Sequence, residues 1–228
     1  YVNGVIFRNL TFNSCATSLG LNANNVTFTG NNFFFFFPGG GNGVSSIYST
    51  TYHEGLKILN NNFTQGSANY IYYNHVYGGA YPKRTLIKGN VFNLPGRNGI
   101  EIWNSDSLLV DSNYFYRTDV NNVYNTQALR IIQPRNYFKI IRNYINGTLE
   151  TGNDIGIKNG NHITGSSIEN NIVIGSTLSH GGIGSSCDSV SYFYNTVFMP
   201  TTFFNYACIT PASKSVVKNN IFVSNGSK

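Results

Sequence analysis

The chain has 228 residues, of which 41% are hydrophobic and 15% aromatic, whereas only 11% are charged. This composition supplies a large core and excludes a disordered or highly charged protein. The net charge is +6, but Lys and Arg form no run, so we expect an acidic polysaccharide and not nucleic acid as the partner. No stretch has the length and hydropathy that predict membrane insertion.

An asparagine-centred frame recurs from the beginning of the chain to its end. In the segment 108–115, Val110 lies three positions before Asn113, and Phe115 lies two positions after it. A spacing of 22 to 30 residues with local insertions predicts a solenoid. The asparagines of the frame are Asn9, Asn31, Asn61, Asn90, Asn113, Asn143, Asn171, Asn195 and Asn220.

The frame is typical of two short strands joined at a corner. Strand side chains alternate between two faces, so the flanking apolar residues should point inward. Asparagine tolerates the left-handed backbone region, and we expect it to form each corner. Turns stacked about 4.8 Å apart would let the amides hydrogen-bond in a ladder.

A third apolar segment completes each turn. Examples are Ile100-Glu-Ile102, Leu129-Arg-Ile131 and Ile155-Gly-Ile157. Parallel crossovers are almost always right-handed. The predicted fold is therefore all-β: a right-handed parallel β-helix solenoid of about nine three-strand coils with an internal Asn ladder. It forms one domain over residues 1–228.

These motifs resemble the right-handed parallel β-helix repeat proteins, a superfamily that includes pectate-lyase-like polysaccharide lyases and glycosidases. The resemblance covers essentially the whole chain and is carried by coil motifs such as Ser-Val-Val-Lys-Asn-Asn-Ile-Phe222. It implies binding or cleavage of a polysaccharide by a secreted, extracellular or cell-surface protein. Because the frame starts near residue 1, we expect a fragment of a longer chain whose end caps lie elsewhere.

The outward positions of the third segments predict a candidate site. In lyases of this fold a Lys or Arg removes the proton beside a uronate carboxylate, which a cation neutralises. We therefore expect Lys158 to be the base or proton donor, Arg130 the carboxylate partner, and Glu101 an acid or metal ligand. Neighbouring segments and an aromatic-basic loop over residues 69–84 are expected to bind substrate through Trp103, Tyr72, His75, Lys83, Arg84 and Asp154.

Alternative interpretations remain open. Glu101 and Arg130 occupy equivalent outward positions on adjacent coils and could form only a surface ion pair, while Lys158 could be merely solvated. The reaction is left open between a lyase and a hydrolase. A non-catalytic adhesive or filament-forming protein, which stacks end to end or packs on missing parts of its chain, is the other class. No metal-ligand spacing occurs, and calcium stays open as a cofactor.

The cysteines and the phenylalanine run give two further expectations. Cys15, Cys187 and Cys208 show no metal spacing, and we expect Cys208 to be an unpaired thiol that points inward near Ile183. In the run of phenylalanines over residues 33–37, alternation should bury the first and expose the second and fourth.

Overall fold

A computed structural model describes residues 3–13, 17–18, 23–34, 45–64, 69–74, 81–93, 98–116, 127–134, 137–152, 165–174, 183–185, 187, 189–199, 208–211 and 213–224. Its regular structure in these residues is entirely β-strand, and the strands pair in parallel. Neighbours within a sheet are three strands apart along the chain, so the chain winds through three sheets in turn. The fold is thus an all-β parallel solenoid. Within the described part, no helix could cross a membrane.

Sheet A contains the strand that precedes each ladder position. Its described strands, in spatial order, are β1 (Ile6–Arg8), β4 (Thr27–Thr29), β7 (Lys57–Leu59), β10 (Lys83–Lys88), β13 (Asp106–Asp111), β16 (Phe138–Ile141), β19 (Ser167–Glu169), β22 (Ser191–Phe193) and β25 (Val216–Lys218).

Sheet B contains the short strand that follows each ladder position. Its described strands are β2 (Thr11–Asn13), β5 (Asn32–Phe34), β8 (Asn62–Thr64), β11 (Val91–Asn93), β14 (Tyr114–Tyr116), β17 (Tyr144–Asn146), β20 (Ile172–Ile174), β23 (Thr196–Met199) and β26 (Ile221–Ser224).

Sheet C closes each turn. Its described strands are β3 (Thr17–Ser18), β6 (Ser45–Ser49), β9 (Asn69–Asn74), β12 (Asn98–Trp103), β15 (Gln127–Ile132), β18 (Thr148–Gly152), β21 (Ile183–Ser185) and β24 (Ile209–Thr210).

The number of complete coils is smaller than the sequence predicted. Within the described residues, only five turns have a sheet C strand of five or six residues, namely those of β6, β9, β12, β15 and β18. The last pair of strands, β25 and β26, has no third strand in the described part of the chain. The prediction of about nine three-strand coils is therefore wrong. The segments between sheets B and C vary in length and sequence, so the asparagine frame does not determine where a third strand forms.

The core is built from equivalent residues of successive turns. Phe33, Phe63, Phe92 and Phe115 stack in one file on the inner side of sheet B, with ring centroids 4.7 to 4.8 Å apart. This spacing is the separation of hydrogen-bonded strands, about 4.8 Å, so the sheet register itself sets the ring stacking. Phe33 is buried and Phe34 is exposed, as alternation predicted; residues 35–37 lie outside the described residues.

The asparagine ladder is present at the corner between sheets A and B. Asn113 shows the pattern: its Nδ2 donates to Asn143 Oδ1 at 3.0 Å and to the Ile87 carbonyl at 2.9 Å. Its Oδ1 accepts hydrogen bonds from the backbone N and Nδ2 of Asn90. The same amide-to-amide bond joins every consecutive pair from Asn31 to Asn220. A buried polar column is stable here because each member has partners on both sides.

The first turn and the corner geometry differ from the prediction. Leu10, not Asn9, stands at the first ladder position, and its backbone N–H donates to Asn31 Oδ1 at 2.9 Å. Asn9 is exposed, one position earlier. The left-handed residue of each corner is this preceding residue and not the ladder asparagine: φ is 54° at Asn9 and 65° at Gly30. The ladder asparagines are therefore selected by their side-chain hydrogen bonds.

Cys208 is a free thiol that packs partly against the core, as predicted. Burial raises the pKa of this thiol. The residue in register with Ile183 is Ile209, so the expected stacking is shifted by one residue.

Candidate functional site

The outer face of sheet C aligns the predicted site residues of three neighbouring turns. Tyr72 of β9, Glu101 of β12 and Arg130 of β15 are direct register partners, and Glu150 of β18 follows Arg130. The alternating pattern explains their direction, because the residues that flank Glu101 in β12 are isoleucines of the core. The predicted equivalence of Glu101 and Arg130 on adjacent coils is confirmed.

Glu101 is at the centre of a hydrogen-bonded group with Trp103 and Arg130. Its Oε1 accepts a hydrogen bond from Trp103 Nε1 at 2.7 Å and lies 3.4 Å from Arg130 Nη1. The glutamate side chain is 8% exposed and the arginine side chain 29%. The Arg130 guanidinium also lies over the Trp103 ring, with Cζ 5.7 Å from the centroid. Because the carboxylate is buried, its charge is compensated mainly by the arginine and the indole N–H.

Two tyrosines of this face pack against each other. The Tyr72 ring stacks on that of Tyr48 in β6, with centroids 5.8 Å apart and an interplanar angle of 8°. Tyr72 is only 8% exposed. Trp103 is half-buried, and its indole N–H already donates to Glu101. Tyr72 thus stacks on Tyr48, and Trp103 is hydrogen-bonded to Glu101; the expected stacking floor of Tyr72 and Trp103 stays a prediction.

Lys83 and Arg84 lie on sheet A and not on the loop expected over residues 69–84. The chain forms strand β9 at Asn69–Asn74 and begins β10 at Lys83. Arg84 Nη2 forms an ion pair with Glu54 Oε1 at 2.8 Å, and both basic residues are exposed. Residues 75–80, which include His75, lie outside the described residues. The expected loop is therefore wrong for the described part of this segment.

The turn that follows Arg130 also differs from the prediction. Strand β18 pairs with β15, so Leu149 and Thr151 occupy the register expected for Ile155 and Ile157. The corner at Gly147 connects β17 to β18 directly, and no insertion separates them. Lys158 and Asp154 both lie outside the described residues.

Two residues of sheet C were not identified from the sequence. Tyr48 lies on a serine-rich strand, where Ser45-Ser-Ile-Tyr-Ser49 offers only one aliphatic residue as a signal. Glu150 lies in Leu149-Glu150-Thr151, which matches Leu129-Arg130-Ile131 in its apolar–charged order and could have been found by that comparison.

A second charged cluster lies on sheet A at the corner to sheet B. Asp111 Oδ1 and Oδ2 accept two hydrogen bonds from Arg142, at 2.9 and 2.7 Å, and Lys88 Nζ lies 3.3 Å from Oδ2. Burial by itself would raise the pKa of Asp111, but the hydrogen bonds from Arg142, Ser112 and Lys88 outweigh it, and the pKa is lowered. The bidentate geometry stabilises the carboxylate.

Within the described residues, no group of three or more His, Cys, Asp or Glu side chains is placed to hold a metal ion.

The fold and the ladder define the class of this protein as a parallel β-solenoid with three sheets and a buried Asn ladder. No family model, no curated protein and no solved structure matches the chain.

Proposed function

We propose that this protein is an extracellular, pectate-lyase-like right-handed β-helix that binds and cleaves an acidic, uronate-containing polysaccharide. The observation that supports the proposal is the Glu101–Trp103–Arg130 group on sheet C. A half-buried arginine beside an indole and a carboxylate combines the groups that bind a sugar acid. The resemblance to β-helix polysaccharide enzymes adds a fold-level argument.

Arg130 is proposed to pair with the uronate carboxylate. Its guanidinium retains exposed surface, and its planar donors suit a carboxylate acceptor. Neutralising that carboxylate would make the adjacent ring proton easier to remove, which is the step a lyase requires. Lys158 is kept as the proposed base or proton donor, with Asp154 and His75 as substrate contacts.

Hydrolysis is the alternative reaction at the same place. Glu101 would act as the general acid, which protonates the departing glycosidic oxygen. Glu150 lies in register on the other side of Arg130, so two carboxylate-bearing positions are two turns apart, about 9.6 Å along the solenoid axis. A separation of this order suits an inverting hydrolase.

The test uses short acidic oligosaccharides and a panel of acidic polysaccharides. A lyase yields an unsaturated product that absorbs ultraviolet light together with new reducing ends, whereas a hydrolase yields reducing ends alone. We expect Arg130→Gln to lower turnover at least about 100-fold. Lys218→Gln, which removes an exposed charge from the last turn, should leave turnover of the short oligosaccharides unchanged. Absence of any cleavage across the panel would eliminate the catalytic proposal.

A second candidate is a non-catalytic, self-associating surface protein. The specific observation that favours it is the outer face of sheet B, where Ile172 is 47% and Ile221 60% exposed and no described strand carries a charge. An exposed apolar area of this kind commonly marks an interface. Ile172→Ser should then lower the sedimentation coefficient at high protein concentration, while Asn32→Ser, on the polar end of the same face, should not.

A further inference from the structure

The charges of the described residues are distributed very unequally over the three faces. Sheet A and the corner residues at the ends of its strands carry nine basic and four acidic residues, a net charge of +5. The described strands of sheet C carry Glu101, Arg130 and Glu150, a net charge of −1, and those of sheet B carry no charged residue. The basic residues are Arg8, Lys57, Lys83, Arg84, Lys88, Lys139, Arg142, Lys214 and Lys218; the acidic residues are Glu54, Asp106, Asp111 and Glu169.

Several of these cations are available to a ligand. Lys57 and Lys139 are exposed, and within the described residues neither forms an ion pair. They stand in one register file, joined through Leu86 and Leu109 of the two intervening turns. Three turns separate them, which is about 14 Å along the solenoid axis. Near the corner to sheet B, Lys88 and Arg142 share a single carboxylate, that of Asp111. This cluster therefore carries one excess positive charge.

We propose that the outer face of sheet A is a second binding surface, which holds an extended acidic polysaccharide along the solenoid axis apart from the site on sheet C. Two cations three turns apart on one register file of a rigid sheet, with a positively charged cluster beside them, suit a linear polyanion that runs along the solenoid axis. The half-exposed Leu59, Leu86 and Leu109 between the cations would contact the apolar edges of the sugar rings. The substrate class rests on the proposed function, whereas the surface itself rests on the charge distribution.

The experiment measures binding and turnover separately. Binding of the intact protein to long polygalacturonate is titrated at two salt concentrations, with neutral dextran as a blank and a DNA duplex as a competing polyanion. Turnover is measured on short oligogalacturonates. The variants are Lys57→Gln with Lys139→Gln, and Arg130→Gln as a charge change on sheet C. Thermal unfolding of each variant confirms that it is folded.

We expect the double lysine variant to bind the polymer about tenfold more weakly at low salt, with a shallower salt dependence. Its turnover of short oligosaccharides should be unchanged. Arg130→Gln should show the opposite behaviour, with polymer binding retained and turnover lost. Full polymer binding by the double lysine variant would overturn the inference and leave the proposed function standing. DNA binding as tight as that of polygalacturonate would overturn the assignment to a polysaccharide. Binding to neither polymer would overturn the second surface, whereas turnover of the short oligosaccharides tests the proposed function independently.

Discussion

The side-chain oxygen of Asn60 lies directly against the Cα of Gly89 in the next turn, where a Cβ atom would come closer to it than 3.0 Å. Both residues have a positive φ, 53° at Asn60 and 66° at Gly89. Asn25 and Gly55 repeat the arrangement at another corner. At these two corners the asparagine side-chain oxygen thus leaves no room for a Cβ atom on the residue stacked upon it.

Gly89→Ala should therefore destabilise the protein in two ways. The positive φ costs an L-residue about 1–2 kcal/mol, and the Asn60 side chain must rotate away from the new Cβ. Gly4→Ala is the matched control, because Gly4 has a φ of 73° but nothing within 4 Å of its Cβ position. We expect chemical denaturation to show a loss at Gly89 that exceeds the loss at Gly4 by about 1 kcal/mol. In an Asn60→Gly background this excess should disappear, and its persistence would refute the contact.

Asn113→Ala tests the ladder. The substitution removes the acceptor of two hydrogen bonds from Asn90 and the donor to the Ile87 carbonyl. Buried polar groups left without partners cost about 1–3 kcal/mol, so we expect a loss of that order in the free energy of unfolding. Asn220→Ala should cost less, because this end of the ladder is partly exposed. Asn32→Ala, on the exposed face of sheet B, is the control and should change stability by less than about 0.5 kcal/mol.

The interior of sheets A and B could be predicted from sequence because one frame repeats with a fixed internal spacing. Phe92 and Phe115, for example, both lie two positions after a ladder asparagine, and they stack as expected. The first turn was misplaced by one residue because Asn9-Leu10 puts an asparagine at the left-handed corner and leucine at the ladder position. The predicted frame put Ile6 in the core, but Phe7 is the residue that stacks on Phe28. Both residues are apolar, so hydrophobicity alone did not distinguish the two alignments.

The candidate site could be predicted only in part, because it depends on sheet C. Glu101 and Arg130 were found because their strands share an apolar–charged–apolar pattern. The next strand was misplaced because Ile155-Gly-Ile157 fits that pattern better than Leu149-Glu-Thr151 does. Tertiary context decided otherwise: the corner at Gly147 leads directly into β18, and Leu149 pairs with Leu129.

The free energy of unfolding should fall at acid pH because Asp111 becomes protonated. Its pKa is lowered from the ordinary value of 3.8 in the folded protein. The stabilisation by the ionised carboxylate is therefore fully present above pH 3.8 and is lost as the pH falls through the lower, folded-state pKa. Asp111→Asn should cost about 1–2 kcal/mol at neutral pH and should flatten the pH dependence of the unfolding free energy below pH about 4.

The control for this titration is Asp106→Asn. Asp106 starts the same strand and is half-exposed, and within the described residues it forms no ion pair with an arginine or lysine. Its variant should keep the acid-dependent loss of stability. If Asp111→Asn retained the full pH dependence, the lowered pKa would have to belong to another carboxyl group.

Two glutamate–arginine pairs among the described residues allow the effect of burial to be separated from that of distance. Arg84 and Glu54 approach to 2.8 Å, but their side chains are 67% and 32% exposed. Arg130 and Glu101 are 3.4 Å apart, with side chains 29% and 8% exposed. Water screens the Arg84–Glu54 pair strongly. The Arg130–Glu101 pair lies in a less polar environment, and Trp103 donates a hydrogen bond to its carboxylate.

Double-mutant cycles with Gln at each position should therefore give the larger coupling energy for the more distant pair. We expect about 1–2 kcal/mol between Glu101 and Arg130, and less than about 0.5 kcal/mol between Glu54 and Arg84. Arg130→Gln alone should be more destabilising than the double substitution, since it removes the arginine charge 3.4 Å from a buried carboxylate. Urea denaturation of the seven proteins in the two cycles, which share the wild type, measures both coupling energies at one pH. Equal coupling in the two pairs would mean that Glu101 is as well solvated as Glu54, and its burial would then give Arg130 no electrostatic advantage as a carboxylate partner.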